Sequence, residues 1–150
     1  MATKIYTLDN ITLVTLQGSP ATVDFIAEVF DRISKRNINI DMISTAPTHA
    51  AITTLSFTIS DDDLIEVLAL TSELKKDLGI NAIVSSVNHK VSVSDTAMKN
   101  TPGMASKLFT ALKHTDADIR LITTSEVEIS LLVSEADYDT VLDEINKAFN

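Results

Sequence analysis

Two segments of the sequence carry residue types suited to binding a small zwitterion. Residues 17–24 read Gln-Gly-Ser-Pro-Ala-Thr-Val-Asp, and residues 98–105 read Met-Lys-Asn-Thr-Pro-Gly-Met-Ala. Each segment precedes a stretch of helical periodicity, and the first amide groups of a helix lack intrahelical acceptors and attract anions. A free amino acid could place its carboxylate there and its ammonium group against carbonyl or side-chain oxygens of a neighbouring strand. The alternative interpretation of each junction is a tight turn with a good cap.

The second junction has two features of its own. Pro102 suits the first turn of a helix, where its missing N–H costs nothing. Gly103 lets a ligand or a partner backbone approach closely, because it has no side chain. These two residues favour a helix that begins at about Pro102, with the junction in front of it open to a ligand.

Other kinds of chemistry have little support in the sequence. His49, His89 and His114 lie at unrelated positions without metal-ligand spacing, so we predict no metal site. The acidic run 61–63 directly follows a strand pattern, and we interpret it as helix capping rather than cation binding. Cysteine is absent, and no phosphate-loop, dinucleotide, hydrolase-elbow or zinc-protease motif occurs. We therefore expect no catalytic residues and no cofactor.

Composition narrows the set of partners. The 150 residues are 45% hydrophobic, which suits one core or two small ones. The formal net charge is −9, and Lys and Arg form no cluster, so a nucleic acid partner is not expected. No apolar run is long enough to span a membrane, and no leader precedes the first strand, so we expect a cytoplasmic protein without a membrane partner.

The chain contains an internal repeat. When the segment from Phe25 is laid on the segment from Met104, Phe30 pairs with Phe109, and residues 40–44 pair by type with residues 119–123. After a length difference in the next hairpin, residues 55–60 match residues 129–134. Such self-similarity indicates two copies of one supersecondary unit.

Hydrophobic periodicity predicts the elements of each copy. In the first copy, Ser60 and Asp63 predict a capping box at the start of the second helix, and Gly79 predicts the C-cap at its end. Leu64, Val67, Leu68, Leu74 and Leu78 are predicted as that helix's buried stripe. The predicted strands are 11–16, 38–42, 53–59 and 82–87, with helices from 25 to about 37 and from 64 to 78. The second copy has predicted strands at 91–94, 119–123 and 127–133, with helices from about Pro102 and from Glu135.

The second copy lacks its last strand. Its final helix carries an apolar stripe that ends at Phe149, and no residues remain after it for a fourth strand. We predict that residues 4–8 cross over and complete that sheet. The fold class is then α+β, with two ferredoxin-like βαββαβ modules, antiparallel sheets and helices on one face. The first module spans residues 9–89, the second spans 90–150 plus 3–8, and the intertwined pair should unfold as one unit.

Several segments resemble the paired ACT modules that form the regulatory region of aspartate kinases. The most specific are residues 100–109, with their Pro-Gly helix entry, and residues 119–130, with their Thr-Thr-Ser-Glu hairpin. Residues 11–18, 37–44 and 55–59 are similar to the first module of that family. The resemblance implies modules that pair their sheets in a homodimer and bind lysine, threonine or both. Feedback inhibition of a kinase domain or catalytic subunit would follow.

The resemblance also implies the effector contacts. The family's acidic residue and Pro-Gly pair of the first junction are replaced by Ala21 and Val23-Asp24, and its Gly-x-Gly-Met by Asp95-Thr96-Ala97-Met98. The implied contacts are Ser19, Ala21, Thr22, Val23, Asp24, Phe25, Asn39, Ile40, Asp41, Thr45, Met98, Asn100, Thr101, Pro102, Gly103, Met104, Ala105, Ile119, Thr124, Ser125 and Glu126.

Polar residues that face away from the apolar side of the predicted strands are further candidates for an interface or a ligand. They are Asn39 and Asp41 in one copy and Asp118 and Arg120 in the other. Three functions remain open: an allosteric amino-acid-binding region of an aspartate kinase, a structural dimerisation module without ligand, and a stand-alone sensor.

Overall fold

The computed structural model describes residues 3–46 and 51–150, so His49 lies outside the described residues. The chain divides into two compact units, Asn10–Ser86 and a second unit that combines the residues up to Asp9 with Val87–Asn150. Its elements are β1 (Lys4–Pro20), α1 (Val23–Lys35), β2 (Ile43–Thr45), β3 (Ile52–Ser60), α2 (Leu64–Leu78), β4 (Asn81–Ser94), α3 (Met104–Ala111), β5 (Ile119–Thr124), β6 (Glu128–Ser134) and α4 (Glu135–Phe149). Because β1 and β4 are long, each contributes to both units.

The unit Asn10–Ser86 is a βαββαβ module with strand order β2-β3-β1-β4. Antiparallel pairing sets Leu16 opposite Leu55 and Val14 opposite Phe57. These side chains are buried together with Val29 of α1 and others from α2. The predicted ferredoxin-like arrangement of the first copy is confirmed.

The second strand of this unit is shorter than predicted. Residues 38–42 are not in a strand, and β2 begins at Ile43. The amide of Met42 donates to the hydroxyl of Thr58 at 2.9 Å, so a side chain takes a bond that the strand ladder would otherwise use. Asn39 and Asp41, the polar candidates of this segment, are exposed to solvent.

The bounds of α2 agree with the prediction, but its cap differs. The hydroxyl of Ser60 accepts a hydrogen bond from the amide of Asp62 at 3.1 Å, and residues 61–63 form a short 3-10 turn, so no capping box forms and α2 begins at Leu64. At the other end, Gly79 has φ 69° and its amide bonds to the carbonyl of Lys75, as predicted for a C-cap.

The buried stripe of α2 is narrower than predicted. Val67, Leu70 and Leu74 are fully buried, at helical spacings of three and four. Leu68 is 46% exposed and Leu78 is 42% exposed, although both were predicted in the stripe. The error for Leu68 arises because it lies about 100° around the helix from Val67, on the flank of the contact with the sheet.

The second unit has the strand order β5-β6-β4-β1. Its core includes Val91, Leu131, Leu108 of α3 and Val141 and Ile145 of α4, and Ile5 of β1 packs against that core. The prediction that the amino-terminal strand completes the second module is confirmed. None of the helices in residues 3–46 and 51–150 is long and apolar enough to cross a membrane.

Two details of the second unit correct the prediction. Residues 82–87 and 91–94 belong to one continuous strand, because Asn88 pairs with Ser134 and Lys90 with Leu132. Helix α3 begins at Met104 rather than at Pro102. Gly103, with φ 112° and ψ −6°, is the N-cap residue, so Pro102 lies in the turn before the helix.

Candidate ligand-binding site

The first junction uses its polar groups internally. The hydroxyl of Thr22 accepts a hydrogen bond from the amide of Phe25 at 3.2 Å and caps α1. The amide of Ala21 donates to the carbonyl of Ala51 at 2.8 Å, and the buried hydroxyl of Ser19 donates to the carbonyl of Leu16 at 3.0 Å. Phe25 belongs to the core. These contacts match the alternative interpretation of a capped turn.

The charge at this junction also disfavours an anion. Asp24 lies in the first turn of α1, where a carboxylate already complements the positive end of the helix dipole. Val23, the other predicted contact here, is highly exposed. A second carboxylate from a ligand would have to approach the carboxylate of Asp24.

The second junction lines a pocket of about 270 Å³ that is open to solvent at the start of α3. Five of the predicted residues line it: Met98, Thr101, Pro102, Gly103 and Met104. The first amide to bond within the helix is that of Lys107, which donates to the carbonyl of Gly103 at 2.9 Å. Because the N-cap residue is glycine, no side chain caps the amides of Met104, Ala105 and Ser106, which precede Lys107 in the helix. A side chain thus caps the helix at the first junction but not at the second, and uncapped helix amides are the groups that bind an anion.

The pocket also has one acidic and one basic side chain, which sequence analysis did not include among the contacts. Asp95, at the end of β4, and Lys107, in the second turn of α3, both line it. Asp95 accepts hydrogen bonds from the amide of Ala97 at 2.9 Å and from the hydroxyl of Thr3 at 2.8 Å. The Ala97 amide first, and then the Thr3 hydroxyl, lower the pKa of Asp95 below its usual value. Its carboxylate is thus held in the ionised form.

Lys107 supplies the positive counterpart. Its ammonium group lies 4.6 Å from the centre of the Phe149 ring of α4, in a cation–π contact. A pocket with one carboxylate, one ammonium group and an uncapped helix N-terminus is complementary to a zwitterion. The remaining lining is largely apolar, from Met98, Pro102 and Met104.

The β5–β6 turn lies beside this junction. The amide of Asp95 donates to the carbonyl of Val127 at 2.9 Å, and Lys99 pairs with Glu126 at 3.4 Å. The amide of Ser125 is used within the turn, where it donates to the carbonyl of Glu128. Three predicted contacts, Thr124, Ser125 and Glu126, thus neighbour the junction but do not line the pocket.

The other predicted contacts lie elsewhere. Asn39, Ile40, Asp41 and Thr45 belong to the unit Asn10–Ser86 and do not line this pocket. Asn100 and Ala105 are exposed within the second junction, and Ile119 packs against the core of the second unit. Of the further polar candidates, Asp118 and Arg120 form an exposed ion pair at 3.4 Å.

His89 occupies a structural position. Its Nδ1 atom lies 2.9 Å from Oδ1 of Asp9, and its ring stacks on Tyr138 with a centroid separation of 4.2 Å. Within the described ranges, no group of three or more His, Cys, Asp or Glu side chains is arranged to hold a metal ion.

Comparison with known proteins finds a family that resembles part of the chain. Residues 91–149 match the family described as the ACT domain. That segment contains the pocket, α3, α4 and strands β5 and β6.

The chain as a whole is similar to aspartokinases. It is 32% identical over 142 residues to an aspartokinase of Bacillus sp. (strain MGA3), covering 94% of this chain and 34% of that protein. The chain thus spans about a third of the length of that curated relative. The predicted resemblance to the ACT regulatory region of aspartate kinases is confirmed.

Solved structures agree over the full length. The ligand-free regulatory subunit of aspartate kinase from Thermus thermophilus superposes with a TM-score of 0.90 at 27% identity, covering 100% of both chains. Escherichia coli aspartokinase III in complex with lysine and aspartate shares the fold, with a TM-score of 0.74 at 23% identity over 97% of this chain and 32% of that one. Over its full length the chain is thus similar to a regulatory subunit of aspartate kinase.

Proposed function

We propose that this chain is the amino-acid-sensing region of an aspartate kinase. We also propose that it binds lysine or threonine in the pocket at the start of α3. One observation carries the proposal. The pocket places Asp95 and Lys107 around a helix N-terminus whose N-cap residue, Gly103, has no side chain. The similarity to a regulatory subunit over its whole length supports the same function.

The chemistry of the pocket suggests how the ligand lies. The carboxylate of the amino acid accepts hydrogen bonds from the first amides of α3 and pairs with Lys107. The ammonium group donates to Asp95, and the side chain of the ligand contacts Met98 and Met104. The first junction has no comparable role, because Thr22 caps its helix and Asp24 occupies the first turn. The proposal therefore places one site in each chain, in the second unit.

Feedback control would arise from differential binding. If the amino acid binds one arrangement of the enzyme more tightly than another, it inhibits a kinase domain or catalytic subunit by shifting the equilibrium between them. Such couplings are typically about 1–3 kcal/mol, which corresponds to roughly 5–150-fold in affinity. In an assembled kinase, this effect can be measured as inhibition of the kinase reaction by the amino acid that this chain binds.

Isothermal titration calorimetry with L-lysine and with L-threonine tests the proposal. At least one should bind the wild-type protein, and Asp95→Asn and Lys107→Met should each weaken binding by about tenfold or more, since each removes a charge-assisted bond. Asp139→Asn and Lys113→Met are matched controls, because they make the same charge changes at exposed positions outside the pocket. The proposal fails if neither amino acid binds, or if the control variants weaken binding as much as the pocket variants.

A structural dimerisation role is the second candidate, and exposed apolar side chains of the second unit favour it. Tyr6 is 53% exposed and Leu8 is 52% exposed, and the two lie at alternate positions of β1. The neighbouring residue Ile5 packs against the core of the second unit. Apolar residues on the open side of a sheet favour pairing with a second chain. Sedimentation equilibrium should show a homodimer that Tyr6→Ser and Leu8→Ser weaken. A dimer that binds none of the twenty amino acids would replace the sensing role with this one.

A further inference from the structure

Asp95 connects the pocket to the amino-terminal strand. Its Oδ2 atom accepts a hydrogen bond from the hydroxyl of Thr3 at 2.8 Å, although the two residues lie 92 positions apart in the sequence. Thr3 immediately precedes β1, whose first part completes the sheet of the second unit. The same carboxylate lines the pocket. The side chain of Asp95 therefore contacts both Thr3, the residue before β1, and the space proposed for the ligand.

Two separate anchors hold this carboxylate. The amide of Ala97 bonds to Oδ1 at 2.9 Å, and the hydroxyl of Thr3 bonds to Oδ2. With both oxygens held, the plane of the carboxylate is fixed before a ligand arrives, so less side-chain freedom is lost on binding. Each oxygen of a carboxylate offers about two acceptor positions, so each retains one for an ammonium group. Thr3 and a ligand therefore do not compete for Asp95.

We infer that Thr3 is a positioning residue for the effector site. Binding of the amino acid in the pocket and packing of residues 4–9, the amino-terminal strand segment, against the second unit then strengthen each other. This inference rests on the proposed function, since it assigns a regulatory consequence to the same pocket. Reciprocity follows from linkage: if the Thr3 contact favours the ligand, the ligand favours the Thr3 contact by the same factor. The strand that closes the second unit thereby becomes the element that responds to the amino acid.

Affinity measurements on Thr3 variants test the first half of the inference. With L-lysine or L-threonine, whichever binds the wild-type protein, Thr3→Val should weaken binding about fivefold, the effect of one ordinary hydrogen bond. Thr3→Ser keeps the hydroxyl and should restore the wild-type affinity. Thr7→Val, the same exchange at an exposed position of β1, should leave the affinity unchanged.

Hydrogen exchange measures the second half. Saturating amino acid should slow amide exchange in the segment 4–9 of the wild-type protein, and Thr3→Val should remove most of that protection. Binding of equal strength by Thr3→Val and the wild type, or exchange in this segment that the amino acid leaves unchanged, overturns the inference and leaves the proposed function intact. Absence of binding by the wild-type protein overturns the proposed function itself.

Discussion

Replacing Gly103 with alanine separates the two roles that the second junction combines. Gly103 has φ 112°, a backbone conformation that residues with a side chain rarely adopt. A Cβ atom built there would meet nothing within 4 Å. The cost of Gly103→Ala is therefore backbone strain without a clash, which amounts to roughly 1–3 kcal/mol. For a chain of this size that lowers the melting temperature by about 3–9 °C. The fold should survive, so that binding remains measurable below the transition.

Gly18 provides a matched control in the other unit. It lies at the irregularity of β1 between Leu16 and Ser19, has φ 64°, and likewise has open space where a Cβ would stand. Gly18→Ala should lower the melting temperature by a comparable amount and leave amino-acid binding unchanged. Gly103→Ala should also weaken binding, by about tenfold or more, because relaxation of the strain moves the α3 amides that receive the ligand carboxylate.

Differential scanning fluorimetry and titration calorimetry on the two variants give the answer together. The reasoning is refuted if Gly103→Ala binds the amino acid as tightly as the wild-type protein, or if both variants lose affinity equally. In the first case the ligand does not depend on the N-cap geometry of α3. In the second case the loss reflects general instability rather than the pocket.

Three other perturbations test separate parts of the account. Leu70→Ala in the core of one unit and Ile145→Ala in the core of the other should each cost about 2–5 kcal/mol, and calorimetry should show a single transition in both variants, since β1 and β4 run through both units. Val87 is 41% exposed and has φ 58°, which is costly for a β-branched residue, so Val87→Asn should raise the melting temperature by relieving about 1 kcal/mol of strain. Because hydrogen bonds lower the pKa of Asp95, its carboxylate stays ionised below the usual titration range, and its contribution to amino-acid binding should be lost only as the pH falls through that lowered pKa. A pH titration of affinity should lose this step in Asp95→Asn.

The architecture was predictable because it follows from periodicity and from counting elements. The repeat between the segments at Phe30 and Phe109 defined two copies of one unit, and residues 4–8, which no element of the first copy uses, were left for the sheet of the second. Ile5 packs in the second core as that interpretation requires. Such patterns survive in the sequence because every buried face must be apolar.

Local end geometry was less predictable because alternatives of similar energy compete there. Ser60 could have capped α2 directly, but the aspartates after it form a 3-10 turn. Pro102 is as compatible with a turn as with a first helical position, and the unusual φ of Gly103 decides between them. The backbone groups of Asp41 and Met42 still bond to the backbone of Thr58, but the Met42 amide donates to the Thr58 hydroxyl, so the regular pairing includes only residues from Ile43 onward. No pattern in the segment 38–42 predicts that side-chain bond.

The candidate pocket was predictable only in part. The residues contiguous with the Pro-Gly turn were identified, since they form one segment of sequence. Asp95 and Lys107 lie on either side of that segment, and their convergence depends on the path of the chain between β4 and α3. The replacement of the family's glycines by Asp95-Thr96-Ala97 was the available signal for the acidic residue, and the position of Lys107 three residues after Met104 was the signal for the basic one.

A backbone amide NMR titration tests the central claim most directly, because it reports each junction separately. On addition of L-threonine or L-lysine, the amide signals of Met104 and Ala105 and that of Ala97 should shift and saturate at one amino acid per chain, while those of Val23 to Phe25 stay in place. Shifts at the start of α1 with none at the start of α3 would contradict the assignment of the site to the second unit.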